Sequence, residues 1–303
     1  MEPASYQVLG VRVHAMTVDD LYATVERAVK EERRWVIGNH NLHSIYLYHR
    51  HGEMRRFCDG ADYVFIDGMP LVILGRLLGF GLRCDHRFTS ADWASPLMQR
   101  AAEHGWRVFL LGSRPGVAER AAEALRRAAP ALQVATAHGH FDVSPGSSES
   151  EAVLSSIREF RPHVLVVGMG MPLQERWINE NRDRIEANVI MNLGAVLDYV
   201  SGTVPTPPRW LARLGFEWLG RLAYEPRRLW RRYLVEPWFL LPLVLGALVV
   251  VGRRLFAGST PPSATDGTNG PAVEVAGGGS AARGLPEQPP AERSTRRFEE
   301  ASD

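Results

Sequence analysis

Phe109-Leu-Leu-Gly-Ser-Arg-Pro-Gly-Val-Ala-Glu119 decides the fold class of this chain. The apolar run Val108–Leu111 reads as a buried strand, and Val117–Ala129 carries apolar residues at helical spacing. Only a short Gly/Pro turn separates them. A strand that opens directly into a helix leaves free backbone N–H groups and the positive helix end facing the loop, which suits a phosphate or diphosphate. An ordinary strand-to-helix turn has the same pattern. The glycine spacing matches neither a Walker loop nor a dinucleotide fingerprint.

The alternation repeats on both sides of this unit. Strands are expected at Val8–Val13, Trp35–Gly38, Tyr63–Ile66, Leu132–Ala135, Val164–Val167 and Val189–Leu193. Helical patterns lie between them at Thr17–Lys30, Leu42–His51, Leu71–Leu78, Asp92–His104, Glu149–Phe160 and Gln174–Arg184. Thr17 is placed to cap its helix, with Asp19 and Asp20 in the first turn. Such alternation specifies an α/β fold, a largely parallel sheet with helices on both faces. Ligands bind beyond the carboxyl ends of such strands.

Four further stretches fall on that side. Asp67, in Ile66-Asp67-Gly68-Met69-Pro70, could serve as a general base or could be a helix cap or turn residue. Asn39 and Asn41, in Asn39-His40-Asn41, could bond sugar hydroxyls or phosphate, or one could cap the next helix. Gln174, in Gly168-Met-Gly-Met-Pro-Leu-Gln-Glu-Arg-Trp177, could read a base or sugar, or sit on the surface. In Arg87-Phe-Thr-Ser-Ala-Asp92, Arg87 could meet phosphate, while Ser90 or Asp92 could cap a helix. His40 and His43 have no Cys or carboxylate at ligand spacing, so no metal is expected.

The 303 residues carry a net charge of +1, too little to draw the chain to nucleic acid. Lys30 is the only lysine, and clustered arginine suits phosphate through its planar fork. Cys58 and Cys84 make no disulfide framework and fit a reducing compartment. Met1–Ala15 does not read as a signal peptide, so the catalytic part is expected in the cytoplasm.

From Pro205 the composition changes. Gly215–Tyr233 alternates arginines with aromatic and apolar residues at helical spacing. That is either a basic surface for membrane or phosphate, or a helix pair packed on the core. Pro237–Gly252 is uncharged but short of the roughly 20 residues that a span needs, and it holds Pro242 and Gly246. A monotopic or re-entrant anchor is expected, with a short transmembrane helix or a core helix as alternatives. The Gly/Pro-rich tail 257–303 is expected to be disordered. The expected division is a catalytic domain 1–204, a helical appendage 205–236, an apolar segment 237–256 and the tail.

In this order, the motifs resemble those of the WecG/TagA/CpsF glycosyltransferase family (glycosyltransferase family 26), over about Val8 to Tyr233. The most specific are Asp67-Gly68, Leu110-Leu-Gly-x-x-Pro-Gly-Val-Ala-Glu119, Gly168-x-Gly-x-Pro-x-Gln-Glu-x-Trp177 and Glu217-Trp-Leu-x-Arg-Leu-x-x-Glu-Pro-x-Arg228. The resemblance implies a Rossmann-like domain with a C-terminal appendage that completes the site at the membrane. It implies inverting, metal-independent transfer of an N-acetylmannosamine-type sugar from a UDP donor, without a cofactor. The implied acceptor is a polyprenyl-diphosphate-linked amino sugar of cell-surface polysaccharide or teichoic acid synthesis. Asp67 resembles the family's base, and Asn39 and Asn41 its neighbouring polar positions. Arg87, Asp92, Gly112, Ser113, Pro115, Gly116 and Gln174 match the donor-binding stretches. Arg221, Arg228 and Arg231 resemble appendage arginines that meet the diphosphate. Ser90, Ser113, Leu173 and Thr206-Pro207 depart from the common pattern.

The expected partners are therefore the UDP-sugar, the lipid-linked acceptor and the cytoplasmic membrane face, with homo-oligomers open. An oxidoreductase on the same scaffold is disfavoured by the missing G-x-G-x-x-G after the first strand. A non-catalytic nucleotide-sugar-binding protein at the membrane surface is the remaining alternative.

Overall fold

The structure, a computed structural model, describes residues 2–205 and 217–256. The Thr206-Pro207 departure, the first part of the Arg- and Trp-rich stretch and the tail 257–303 lie outside the described residues. The strands are β1 (Ser5–Val8), β2 (Val11–His14), β3 (Trp35–His40), β4 (Tyr63–Ile66), β5 (Arg107–Gly112), β6 (Gln133–Ala137), β7 (Val164–Gly168) and β8 (Val189–Asn192). The helices of the body are α1 (Val18–Lys30), α2 (Leu42–Arg50), α3 (Gly52–Gly60), α4 (Met69–Leu77), α5 (Ser90–Glu103), α6 (Val117–Ala128), α7 (Ser148–Phe160), α8 (Leu173–Asn181) and α9 (Val196–Val200). The C-terminal helices are α10 (Glu217–Tyr224), α11 (Pro226–Trp230) and α12 (Glu236–Phe256), with a π-helical turn at Arg231–Val235.

β3 to β8 form one six-stranded sheet in the order β4-β3-β8-β7-β5-β6, parallel at every pairing. A sheet covered on both faces needs apolar residues at every position of its central strands, and β7 and β8 are buried throughout. Val164 and Val166 pack with α1, α5, α6 and α9, while Leu165 and Val167 pack with α2, α3, α7 and α8. The α/β fold with a parallel sheet is thus the one that the strand–helix alternation specifies.

Several local features differ from expectation, and α3 and α9 fall where no helix was expected. Val8–Val13 is not one strand but parts of a β1–β2 hairpin. Leu9 (φ 53°) and Gly10 (φ 79°) form its two-residue turn, and positive φ at both positions is what such a hairpin requires. β3 continues through Asn39 and His40, because polar residues at a buried strand end still satisfy the ladder. α5 begins at Ser90, with Thr89 as its cap. The hairpin also protects the sheet edge: Val64 N–H of β4 donates to His14 Nδ1 at 2.9 Å. Burial and then Arg12 bring His14 down to about 4, so its ring stays a neutral acceptor at pH 7.

The apolar segment is a helix with two apolar faces. In α12, Leu240 is buried, and Leu243, Val244 and Ala247 pack beside it on a cluster built from the hairpin, α2 and α4. Trp238, Leu241, Leu245, Leu248 and Val249 are exposed. Among the described residues one stretch, Arg231–Val249, is long and apolar enough to cross a membrane. One face of this helix thus packs on the core, as the core-helix alternative expects, and the other is exposed and apolar.

Candidate functional site

The carboxyl ends of β3, β4, β5, β7 and β8 converge on a cavity of about 930 Å³. Its floor includes Asn39, Asn41, Asp67, Ser113, Gly168 and Gly194. Arg221, Glu225, Leu229, Arg232 and Glu236 close it from the C-terminal side. Arg221 stands on α10, Leu229 on α11, Arg232 in the π-helical turn and Glu236 at the start of α12, with the non-helical Glu225 (φ −131°, ψ 58°) joining the first two helices.

Asp67 stands directly after β4. Its backbone N–H donates to the His40 carbonyl at 2.9 Å, which fixes the chain where the strand ends. Its carboxylate does not cap α4, whose N-cap is Gly68 without a side-chain bond. Instead Asp67 Oδ2 accepts from Asn41 Nδ2 at 3.1 Å. Asn41 does two things, since its Oδ1 also accepts from Ser44 N–H at 3.1 Å as the cap of α2. Asn41 therefore caps α2 and also lines the cavity beside Asp67.

Beneath the floor runs a buried polar chain. Asn39 Nδ2 donates to the Asn192 carbonyl at 2.8 Å, and Asn192 Nδ2 donates to Glu175 Oε1 at 2.7 Å. Gln174 Nε2 donates to the same oxygen at 2.7 Å, while Gln174 Oε1 accepts from Gly170 N–H at 3.0 Å. Burial pushes the Glu175 carboxyl up to about 7, against the pull of these hydrogen bonds. Gln174 is therefore no surface residue, nor does it line the cavity. It lies fully buried and holds the Gly170 loop that does. Asn192 and Glu175 were not singled out from sequence. Asn192 ends β8 on the ligand side, and Glu175 adjoins Gln174 in the same motif.

The β5–α6 turn has a steric explanation. A Cβ on Gly112 would lie 2.3 Å from the Gly168 carbonyl oxygen, so β5 and β7 meet backbone to backbone. Ser113 follows with φ 57°, donates its N–H to that oxygen at 3.0 Å, and leaves its shielded Oγ without a partner among the described residues. Gly116 (φ 82°) is the N-cap of α6. Ser113, Arg114 and Val117 reach the cavity wall, while Gly112, Pro115 and Gly116 shape the turn behind it. Arg87 and Asp92 are not on the wall. Arg87 is bridged to Ile66, and Asp92 Oδ2 accepts from Thr89 N–H at 2.8 Å and Thr89 Oγ1 at 3.0 Å in a capping box. For Asp92 the helix-end reading is the one the geometry realises.

Of the appendage arginines, Arg221 and Arg231 line the cavity. The Arg221 guanidinium lies 5.4 Å from the Tyr199 ring centroid. The Arg228 side chain lies outside the described residues. Arg232, which the sequence motifs did not pick, is the more enclosed neighbour of exposed Arg231. Its Nε is shielded from solvent and has no partner among the described residues. Burial and the nearby Arg221 charge hold it below the ordinary arginine value, although Tyr233, Asp67 and Glu236 pull the other way. Asp198, Tyr199, Glu225 and His43 also line the cavity and were likewise not singled out.

The sequence profile of the glycosyl transferase WecG/TagA/CpsF family matches residues 6–253. Among similar proteins are the N-acetylglucosaminyldiphosphoundecaprenol N-acetyl-beta-D-mannosaminyltransferases of Staphylococcus aureus strains NCTC 8325 / PS 47 and COL. Each is 31% identical over 171 residues, which cover 56% of this chain and 65% of the relative, just under two thirds of its length. With the profile spanning the sheet, the cavity and most of α12, this chain belongs to the glycosyl transferase WecG/TagA/CpsF family.

Proposed function

We propose that the protein transfers an N-acetylmannosamine-type sugar from a UDP donor to a polyprenyl-diphosphate-linked amino sugar, at the cytoplasmic face of the membrane. The observation that carries this reading is that Asp67, held by Asn41, and the arginines Arg221, Arg231 and Arg232 line one cavity. A carboxylate and fixed cations on the wall of one cavity suit a displacement in which a neutral hydroxyl attacks and a diphosphate leaves. The names of the staphylococcal relatives support the same sugar and the same class of acceptor.

Asp67 takes the proton from the acceptor hydroxyl as that oxygen attacks the anomeric carbon opposite the leaving UDP. The diphosphate departs toward the β5–α6 turn and the arginines, whose charge serves where other transferases use a metal. The exposed stripe of α12 lies on the lipid surface while its other face stays on the body. A helix packed along one side in this way suits interfacial attachment better than spanning.

The test is transfer of labelled sugar to a short-chain polyprenyl-diphosphate acceptor by wild type and Asp67→Asn. Turnover falls by about 10²–10⁴ in the variant while UDP binding persists. Wild-type transfer survives EDTA. Near-normal turnover of Asp67→Asn removes the base, and loss in EDTA that magnesium or manganese restores removes metal independence. UDP binding without transfer by wild type favours the non-catalytic binding protein.

A further inference from the structure

The nearest candidate partner for Arg232 along the chain is Glu236, four residues on, at a spacing that favours a helical ion pair. That pair does not form. Glu236 Oε2 instead lies 2.5 Å from Nδ1 of His43, in the first turn of α2. Both groups are mostly shielded, with side-chain exposures of 18% for His43 and 16% for Glu236. All three residues line the cavity, and among the described residues Arg232 makes no salt bridge. Its Nε is shielded and has no partner among the described residues, the charges of Asp67 and Glu236 act on it only from beyond ion-pair distance, and the space it borders is the cavity.

We propose that Arg232 is the guanidinium that receives the diphosphate in this cavity, and that His43 is a positioning residue that keeps it free by holding Glu236 away. The inference rests on the proposed nucleotide-diphosphate reading of the site, and it assigns the charge to a residue outside the family's matched arginines. Arg231, exposed at the cavity wall, contributes less, because a solvated charge is screened. The His43–Glu236 contact links the body to the start of α12, so the docking of that helix and the availability of Arg232 are one event.

The experiment is calorimetric titration of the full-length protein in detergent, with inorganic pyrophosphate and, separately, UDP. Arg232→Ala weakens pyrophosphate binding by about tenfold or more, the range for a lost charged hydrogen bond, and Arg232→Lys falls between. Arg231→Ala changes it by less than about threefold. His43→Ala frees Glu236 to reach Arg232 and weakens binding. Adding Glu236→Gln restores it, and His43→Ala has no further effect in an Arg232→Ala background. Glu236→Gln alone binds pyrophosphate at least as tightly as wild type, a result that needs no disruptive variant. The proposal is overturned if folded Arg232→Ala binds like wild type, if Glu236→Gln alone binds pyrophosphate more weakly than wild type, or if His43→Ala weakens binding equally in both backgrounds. Wild type that binds pyrophosphate but not UDP keeps the anion site and removes the UDP donor. Wild type that binds neither removes both.

Discussion

Asn41 holds the carboxylate of Asp67 from the neighbouring strand end, Nδ2 to Oδ2 at 3.1 Å, while its own Oδ1 starts α2. One side chain thus sets both a helix origin and the direction of the proposed base. A carboxylate oriented by a donor on a rigid element loses less entropy on reaching a reactive geometry than a free one.

Asn41→Ser separates the two roles. The serine hydroxyl still caps α2, so stability stays within about 1 kcal/mol of wild type in urea unfolding. It is too short to reach Asp67, and transfer falls by about tenfold or more. Unchanged turnover would leave Asn41 as a cap alone.

Glu175 makes stability fall with rising pH. Its unfolded value is 4.5 and its folded value about 7, so between these the folded state holds more protons than the unfolded one. The cost grows as pH rises from 4.5 to 7, is complete above that, and amounts to about 3 kcal/mol. Glu175→Gln keeps an oxygen for Asn192 and Gln174 and carries no charge. Urea unfolding at pH 5 and pH 8 should show the variant gaining on wild type at the higher pH; parallel profiles would mean that Glu175 ionises normally.

Gly112→Ala tests the close approach of β5 and β7. Its Cβ would meet the Gly168 carbonyl oxygen, which is backbone and cannot swing aside. Overpacking and a positive φ together cost about 3 kcal/mol or more. Gly146→Ala, with φ 76° and open space around it, costs about 1 kcal/mol. Equal losses in thermal or urea unfolding would show that conformation, not the strand contact, sets the requirement.

The two faces of α12 respond differently to substitution. Leu241→Glu with Leu245→Glu changes only exposed positions, so the fold persists and binding to anionic phospholipid vesicles drops by more than about tenfold. Leu240→Ala opens a buried position and costs about 2–5 kcal/mol, with vesicle binding kept by the folded fraction. Vesicle binding that ignores the Glu pair would place the attachment elsewhere. Deleting residues 237–303 removes Leu240 and its neighbours from the cluster they share with Ile45, Leu71 and Val72, so truncation should destabilise the body.

Strand-to-helix alternation made the parallel sheet legible, since β7 is apolar throughout, β8 is apolar up to Asn192, and the turns after them hold glycine. The hairpin was hidden because Leu9, a bulky residue, takes the left-handed conformation that usually announces itself as glycine or asparagine. Asp67 and Asn41 were legible from their place at strand ends, but their bond depends on β3 and β4 being adjacent. The Glu175–Asn192 contact joins α8 to β8 and has no local signature. Gln174 looked like a ligand contact because its spacing in the motif does not say which side of the loop it faces. Arg232 was overlooked for a related reason: Arg231 and Arg232 lie in a π-helical turn, whose departure from α-helical phase the sequence pattern does not show.

Glu236 lines the cavity and Trp238 begins the exposed stripe, two residues and about 3 Å of helical rise apart. An anchor joined through a flexible linker would let its cargo tumble and sample a hemisphere of orientations. On the proposed reading there is no slack between the two functions. A lipid surface against the stripe would fix the height and tilt of the reaction chamber like a plane on a rail. An acceptor would be met at one constant depth, and lateral diffusion in two dimensions would be the only search left to make.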